Sequence, residues 1–199
     1  WYDALIPYLR SIDPYGKPIT TSWERPELEG IDLNAPHWYG NEPELMSDLE
    51  AARRAEKAKQ FGKPVIWGEQ GNYRGQTDRS AEGIGGAWDP GSARRMRVRC
   101  WTLMFLETSV VFWETSYAKD GHVRNIWLGP EERQYIRALQ DFAGHLYPGT
   151  KMFSPVLQGA AANTVRAYGL RSDLVTAVYL HHHACAECSS ASSSLSPRG

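Results

Sequence analysis

The sequence predicts an α/β protein, a run of βα units around a parallel sheet followed by the start of an all-β region. Three observations lead there. Strand-like and helix-like apolar patterns alternate from Trp1 to about Leu146, the arrangement that a parallel sheet with crossover helices requires. After Tyr147-Pro148-Gly149 the pattern becomes two alternating runs on either side of a polar turn, as in an antiparallel pair. The chain has 199 residues, 42% of them hydrophobic, and a formal charge of -1, a composition that supports a sizeable core and argues against both disorder and a polyanion-binding protein.

Trp1 to Ile12 reads as an amphipathic helix with Leu5, Ile6, Tyr8, Leu9 and Ile12 on its apolar face. Asp13-Pro14-Tyr15-Gly16-Lys17-Pro18 is a turn leading to a strand over Ile19 to Ser22. A second strand is expected from Ile31 to Trp38, ending in His37-Trp38-Tyr39 before Gly40. Pro43 to Phe61 has helical spacing at Leu45, Leu49, Ala52, Ala55 and Ala58, and Gly62 stands where a helix stops. Val65, Ile66 and Trp67 follow Pro64 as a short buried strand. A long polar, Gly-rich loop over Asn72 to Gly91 comes next, too long for mere connection, which favours function or mobility. Ser92 to Thr108 is then a helix, Ser109 to Trp113 a fourth strand, and Pro130 to Leu146 a last helix opened by its proline. Four such units make half of an eightfold barrel. The alternating runs Thr164 to Leu170 and Leu174 to Leu180 flank Arg171-Ser172-Asp173. The expected division is 1-148 for the βα region, 149-180 for the start of a β domain, and 181-199 for a Ser-rich, low-complexity tail, disordered or non-native.

Several function classes find no support. No apolar stretch reaches the roughly 18 to 20 residues of a membrane span, so no membrane partner is expected. No phosphate-binding glycine motif opens a helix, and Arg94, Arg95, Arg97 and Arg99 read as a solvated helix face, so neither a nucleotide cofactor nor nucleic acid is implied. Cys100, Cys185 and Cys188 form no even disulfide framework, and His181-His182-His183 with Cys185-x-x-Cys188 lacks the second ligand pair of a structural zinc site.

The chemistry gathers around Gly-Lys-Pro-Val-Ile-Trp-Gly-Glu-Gln-Gly-Asn, residues 62-72, which sets Glu69 at a strand exit between two glycines. His37 and Tyr39 lie two apart at the neighbouring strand end and so face one side. Eight Trp and ten Tyr supply flat faces on which a sugar can stack, although core packing accounts for most such residues.

In order and spacing, His37-Trp38-Tyr39, then Gly-Lys-Pro-Val-Ile-Trp-Gly-Glu69-Gln-Gly, then Val-Val-Phe-Trp113 resembles the C-terminal half of a clan A retaining glycoside hydrolase, the cellulase and β-mannanase type of (β/α)8 barrel. The Asp13 to Ser22 segment is similar to that family's fifth strand. The resemblance implies a partial TIM barrel of strands five to eight over about residues 1 to 146, where a whole barrel takes roughly 250 residues. It implies Glu69 as nucleophile, Tyr39 as the phenol that hydrogen-bonds it, His37 beside them, and Trp113 with Trp38 or Trp88 as sugar-binding faces. It further implies a β-linked poly- or oligosaccharide substrate, no metal or organic cofactor, and a secreted or periplasmic setting that the residues themselves do not report. A half-barrel would also self-associate through its exposed edges.

Retention needs a second carboxyl group about 5 to 5.5 Å from the first. Asn41-Glu42-Pro43 imitates the family's acid motif, but it lies one βα unit before Glu69 rather than three. Glu114 follows Trp113, and strand alternation turns it to the other face. The acid/base is therefore expected upstream of Trp1, and this chain alone is expected to have little hydrolytic activity. The competing reading is a noncatalytic carbohydrate-binding or structural barrel whose carboxylates only hydrogen-bond hydroxyl groups.

Overall fold

A computed structural model describes residues 1-21, 25-40, 42-71, 92-110, 113-114, 117-119, 122-124 and 130-184, with backbone alone at 92, 113-114, 117-119, 122-124 and 160-161. The expectations on the Asn72 to Gly91 loop, Trp88, Cys185, Cys188 and most of the tail lie outside these residues. Among the described residues the fold is mixed helix and sheet, with small sheets and no closed barrel.

Helix α1 (Tyr2–Ile12) carries Asp3 in its first turn and Arg10 in its last, which suits the helix dipole, and buries Ile6. The turn after it is organised by Asp13, whose carboxylate accepts the Tyr15 and Lys17 amides at 3.0 and 2.7 Å. Residues 19-21 do not form the expected strand. The Asp32 carboxylate takes the Ile19 amide at 2.6 Å, replacing a ladder bond with a side-chain bond, while the Asp32 amide donates back to the Ile19 carbonyl at 2.9 Å. The second strand is also shorter than expected. Regular pairing is confined to β1 (His37–Tyr39), with one earlier bridge between Asn34 and Val65, because Pro36 has no N–H to give.

A short 3-10 helix, Glu44–Met46, leads into α2 (Ser47–Lys59). Its buried face is Ser47, Asp48, Ala51, Ala55 and Ala58, whereas Leu49 is exposed. Of the face expected through Leu45, Leu49, Ala52, Ala55 and Ala58, Ala55 and Ala58 point inward, while Ser47, Asp48 and Ala51 take the places expected for the N-terminal leucines. Small residues on the inner face let the helix lie close over Trp38 and Trp67, whose ring centroids are 6.0 Å apart. Gly62 ends the helix at φ 66°, a conformation a side chain would resist.

Strands β2 (Ile66–Trp67) and β3 (Glu69–Gly71) form one run bent at Gly68, and α3 (Ser92–Phe105) precedes β4 (Ser109–Val110) and β5 (Trp113–Glu114). All the pairings in this region are parallel: β1 with β3, β3 with β5, and β2 with β4. Chain neighbours are therefore sheet neighbours with helices between them, the pattern of βα units. Behind the sheet Trp38, Ala51, Ala55, Ala58, Val65, Trp67 and Leu103 form one buried cluster. Each large apolar side chain buried there stabilises by about 1.5 to 3 kcal/mol. An antiparallel hairpin that the sequence did not announce, β6 (Tyr117–Lys119) and β7 (His122–Arg124), comes before α4 (Pro130–Ala143). A second cluster centred on Met96 and Cys100 joins α3 to α4 through Tyr135, Ile136 and Leu139.

Strands β8 (Lys151–Phe153), β9 (Val165–Arg171) and β10 (Thr176–His182) make an antiparallel sheet in the order β10-β9-β8. It packs directly on the helices: Tyr179 stacks on Trp101 at 5.9 Å, and Trp101 meets Phe142 at 5.2 Å. β10 runs two residues past the expected end of order at Leu180, and His181 is buried. Among the described residues no helix is long and apolar enough to cross a membrane.

Candidate functional site

His37 pairs with Glu69 and Tyr39 with Gly71 in the β1–β3 ladder. Three residues carry the chain from Asn34 to His37, but four carry it from Val65 to Glu69, so the second strand holds one extra residue between these pairings. This is a bulge, and it re-aims a side chain. Val65 and Trp67 point into the helix-side core, and unbroken alternation would send Glu69 after them. The extra residue turns Glu69 to the opposite face, where His37 and Tyr39 stand. Gly68 occupies the bend where the fit is close: a Cβ there would lie 3.3 Å from His37 Nε2, so the imidazole would have to give by a few tenths of an ångström.

On that face the Tyr39 hydroxyl donates a hydrogen bond to Glu69 Oε2, and His37 Nδ1 lies 3.6 Å from the same oxygen. The Glu69 side chain keeps 45% of its surface exposed, so the carboxylate has open access while one oxygen is fixed. A carboxylate aimed by a phenol and flanked by an imidazole can act as a nucleophile toward an electrophilic carbon, or simply bind hydroxyl groups.

The other proposed residues fare differently. Trp38 is only 2% exposed and sits in the helix-side core, with the Arg99 guanidinium 3.9 Å and that of Arg54 4.8 Å from its ring. That placement removes it as a sugar platform, and alternation accounts for it, since His37 and Tyr39 on one face put Trp38 on the other. The Trp113 backbone, on β5, pairs with Gln70 of the site strand β3, while its side chain and that of Glu114 lie outside the described residues. Glu42 is engaged elsewhere: Arg99 Nε donates to its Oε1 at 2.7 Å and Ser47 Oγ at 3.1 Å. It is a structural anion ahead of the 3-10 turn that leads into α2, held by Arg99 and by the first residue of that helix.

Sequence reasoning missed the arginines. Arg95 and Arg99 are buried rather than solvated, and Arg95 Nε donates to the Glu42 carbonyl at 2.9 Å. Their spacing of four puts both on one helix face, but only the facing carbonyls and Glu42 turn that face inward. Among the described residues no group of three or more His, Cys, Asp or Glu side chains could hold a metal ion. A groove of about 610 Å³ lies away from Glu69, between α2 and the side chains of Leu106 and Met152. No protein family, curated protein or solved structure matches the chain.

Proposed function

We propose that this chain is the part of a retaining O-glycoside hydrolase that carries the nucleophile, built as strands five to eight of a (β/α)8 barrel and directed at β-linked poly- or oligosaccharides. The observation that carries the reading is the convergence of Tyr39, His37 and Glu69 on one oxygen, on a face that Glu69 reaches only through the bulge. In this reading a Glu69 oxygen attacks the anomeric carbon, the bond to the leaving oxygen breaks, and a glycosyl ester of Glu69 forms. Tyr39 holds the second bonding direction of the carboxylate, so the attacking lone pair has a fixed aim. The reading assigns the acid/base to no residue of this chain, because Glu42 is bound to Arg99.

The test separates nucleophile from acid. A 2,4-dinitrophenyl 2-deoxy-2-fluoro-β-glycoside releases a phenolate that needs no proton, and its fluorine slows hydrolysis of the ester. Incubation with the β-gluco and β-manno reagents is expected to add one fluoroglycosyl mass to the peptide containing Glu69, and Glu69→Gln is expected to abolish the adduct. Ordinary β-glycosides should turn over slowly or not at all. Failure of both reagents to label, with saturable oligosaccharide binding that Glu69→Gln weakens, would replace the enzyme with a noncatalytic carbohydrate-binding barrel.

A further inference from the structure

Arg99 projects from α3 to the ends of both strands that carry the candidate site. It is fully buried. Its Nη2 donates to the carbonyl of Gly40, the residue after Tyr39, at 2.6 Å. Nη1 donates to the carbonyl of Gly71, two residues after Glu69, at 3.0 Å. The Gly40 amide donates to that same Gly71 carbonyl at 3.2 Å, so the guanidinium sits across the last rung between β1 and β3. Burial lowers the Arg99 pKa to about 10 against the opposing pull of Glu42, which leaves it charged at neutral pH. The space is tight as well as polar: a Cβ on Gly40 would lie 2.7 Å from Glu42 Oε2 and 2.9 Å from Trp38 Nε1.

A planar fork with fixed donors can hold two carbonyls and a carboxylate together, whereas a lysine ammonium on a flexible stem cannot match that geometry. We infer that Arg99 is the positioning residue of the Glu69 site: by fastening the exits of β1 and β3 to each other it sets the contact between the Tyr39 hydroxyl and the Glu69 carboxylate. Its described hydrogen bonds run to the Gly40 and Gly71 carbonyls and to Glu42, so its role is exercised through the backbone of the two strands. Glu42 is its counter-charge, which gives the acid-like motif a structural purpose. The catalytic consequence rests on the glycosidase reading, but the positioning does not.

Two measurements on the full chain test it. The first is the proton resonance of the Tyr39 hydroxyl, expected downfield in the unaltered protein and absent from both Tyr39→Phe and Glu69→Gln. The second is the rate of Glu69 labelling by the fluoroglycosides. Arg99→Lys is expected to fold, to shift or lose the hydroxyl signal, and to label about 10²-fold more slowly, the cost of a misplacement near 1 Å. If Arg99→Lys does not fold, Glu42→Gln takes its place, with the same signal displaced and labelling slowed about tenfold, a smaller misplacement. Unchanged signal and unchanged rate in a folded variant overturn the inference. Should the unaltered chain show the signal yet never label, the glycosidase reading fails and the resonance alone decides the role of Arg99. Labelling without any hydroxyl signal leaves the enzyme reading standing and removes the positioning one.

Discussion

Asp48 offers the largest single handle on the fold. Its carboxylate is fully buried in the first turn of α2, and three donors from β9 converge on it: Arg166 Nε at 2.5 Å, Arg166 Nη2 at 2.7 Å and the Tyr168 hydroxyl at 2.8 Å. Arg166 Nη2 also reaches the Leu45 carbonyl at 2.5 Å, and His181 Nε2 from β10 donates to that carbonyl at 3.1 Å. Asp48→Asn keeps the shape, removes the charge and strands a largely buried guanidinium. Breaking one side of a buried ion pair costs about 3 to 5 kcal/mol. For a chain of this size each kcal/mol moves Tm by about 2 to 4 °C, which makes the expected fall about 6 to 20 °C. The assay is thermal unfolding by circular dichroism and calorimetry on Asp48→Asn, Arg166→Met and the double variant. Because each single change leaves the other partner uncompensated, the double variant should be less destabilised than the sum of the singles, with a coupling of about 1 to 3 kcal/mol. A fall in stability under about 1 kcal/mol for Asp48→Asn, or additivity in the cycle, would show that the hub does not hold the sheet to the helices.

Acid should loosen the same junction through His181. Burial, with Arg166 and His183 nearby, holds its pKa below the ordinary value despite the attraction of Asp48. The unfolded chain therefore takes the proton first, and stability is full above about pH 6.5 and declines as pH falls from there toward the folded value. Urea unfolding between pH 5 and 8 should reveal that slope, and His181→Gln should flatten it; an unaltered slope in the variant refutes the assignment. Carboxylates act lower. Glu50 is held at about 2 chiefly by its bond to Arg53, and Asp32 is lowered chiefly by the Ile19 amide, so their contributions are full above about pH 4 to 5 and fade as pH falls from there through the folded values. Glu107 occupies left-handed backbone at φ 56°, and its side chain bonds the Met152 amide at 2.8 Å and Lys59 at 3.2 Å. Glu107→Gly relieves about 1 to 2 kcal/mol of strain but loses two charge-assisted bonds of about 1.5 to 3 kcal/mol each, so urea titration should show a net loss of about 1 to 5 kcal/mol, and a stabilised variant contradicts this. Gly68→Ala should displace the His37 ring by a few tenths of an ångström, seen as shifted imidazole resonances with stability changed by less than about 1 kcal/mol, and unmoved resonances would mean that the bend is looser than described.

Much of the secondary structure was legible, because it is written in local spacing. The Tyr2–Ile12 helix, the Pro-opened α4 and the β9–β10 pair fall close to their expected places. Glu69, Tyr39 and His37 were also legible as neighbours, since strand exits with glycines are local signals and adjacent parallel strands bring them together. What escaped was long-range. Arg99 reads as a solvated charge until Gly40, 59 residues away, supplies its carbonyl. Asp48 meets Arg166 across 118 residues, and neither side announces the other. Trp38 is a different failure: the alternation that put His37 and Tyr39 on one face already put it on the opposite one, and its aromatic type outweighed its position. The bulge escaped because strand periodicity assumes equal step counts on both partners, and only the pairing shows four residues set against three.

That unequal count makes the length of the Val65 to Glu69 segment hereditary information of its own. A three-nucleotide deletion removing Gly68 would leave every functional side chain encoded, the composition nearly unchanged and the reading frame intact. It would nevertheless exchange the two faces from Glu69 onward, sending the carboxylate toward the tryptophans and Gln70 toward the solvent side. Substitutions along this strand can be graded by size and polarity. A deletion has no such grading, and the lineage of this protein should accept changes of residue here far more readily than changes of length.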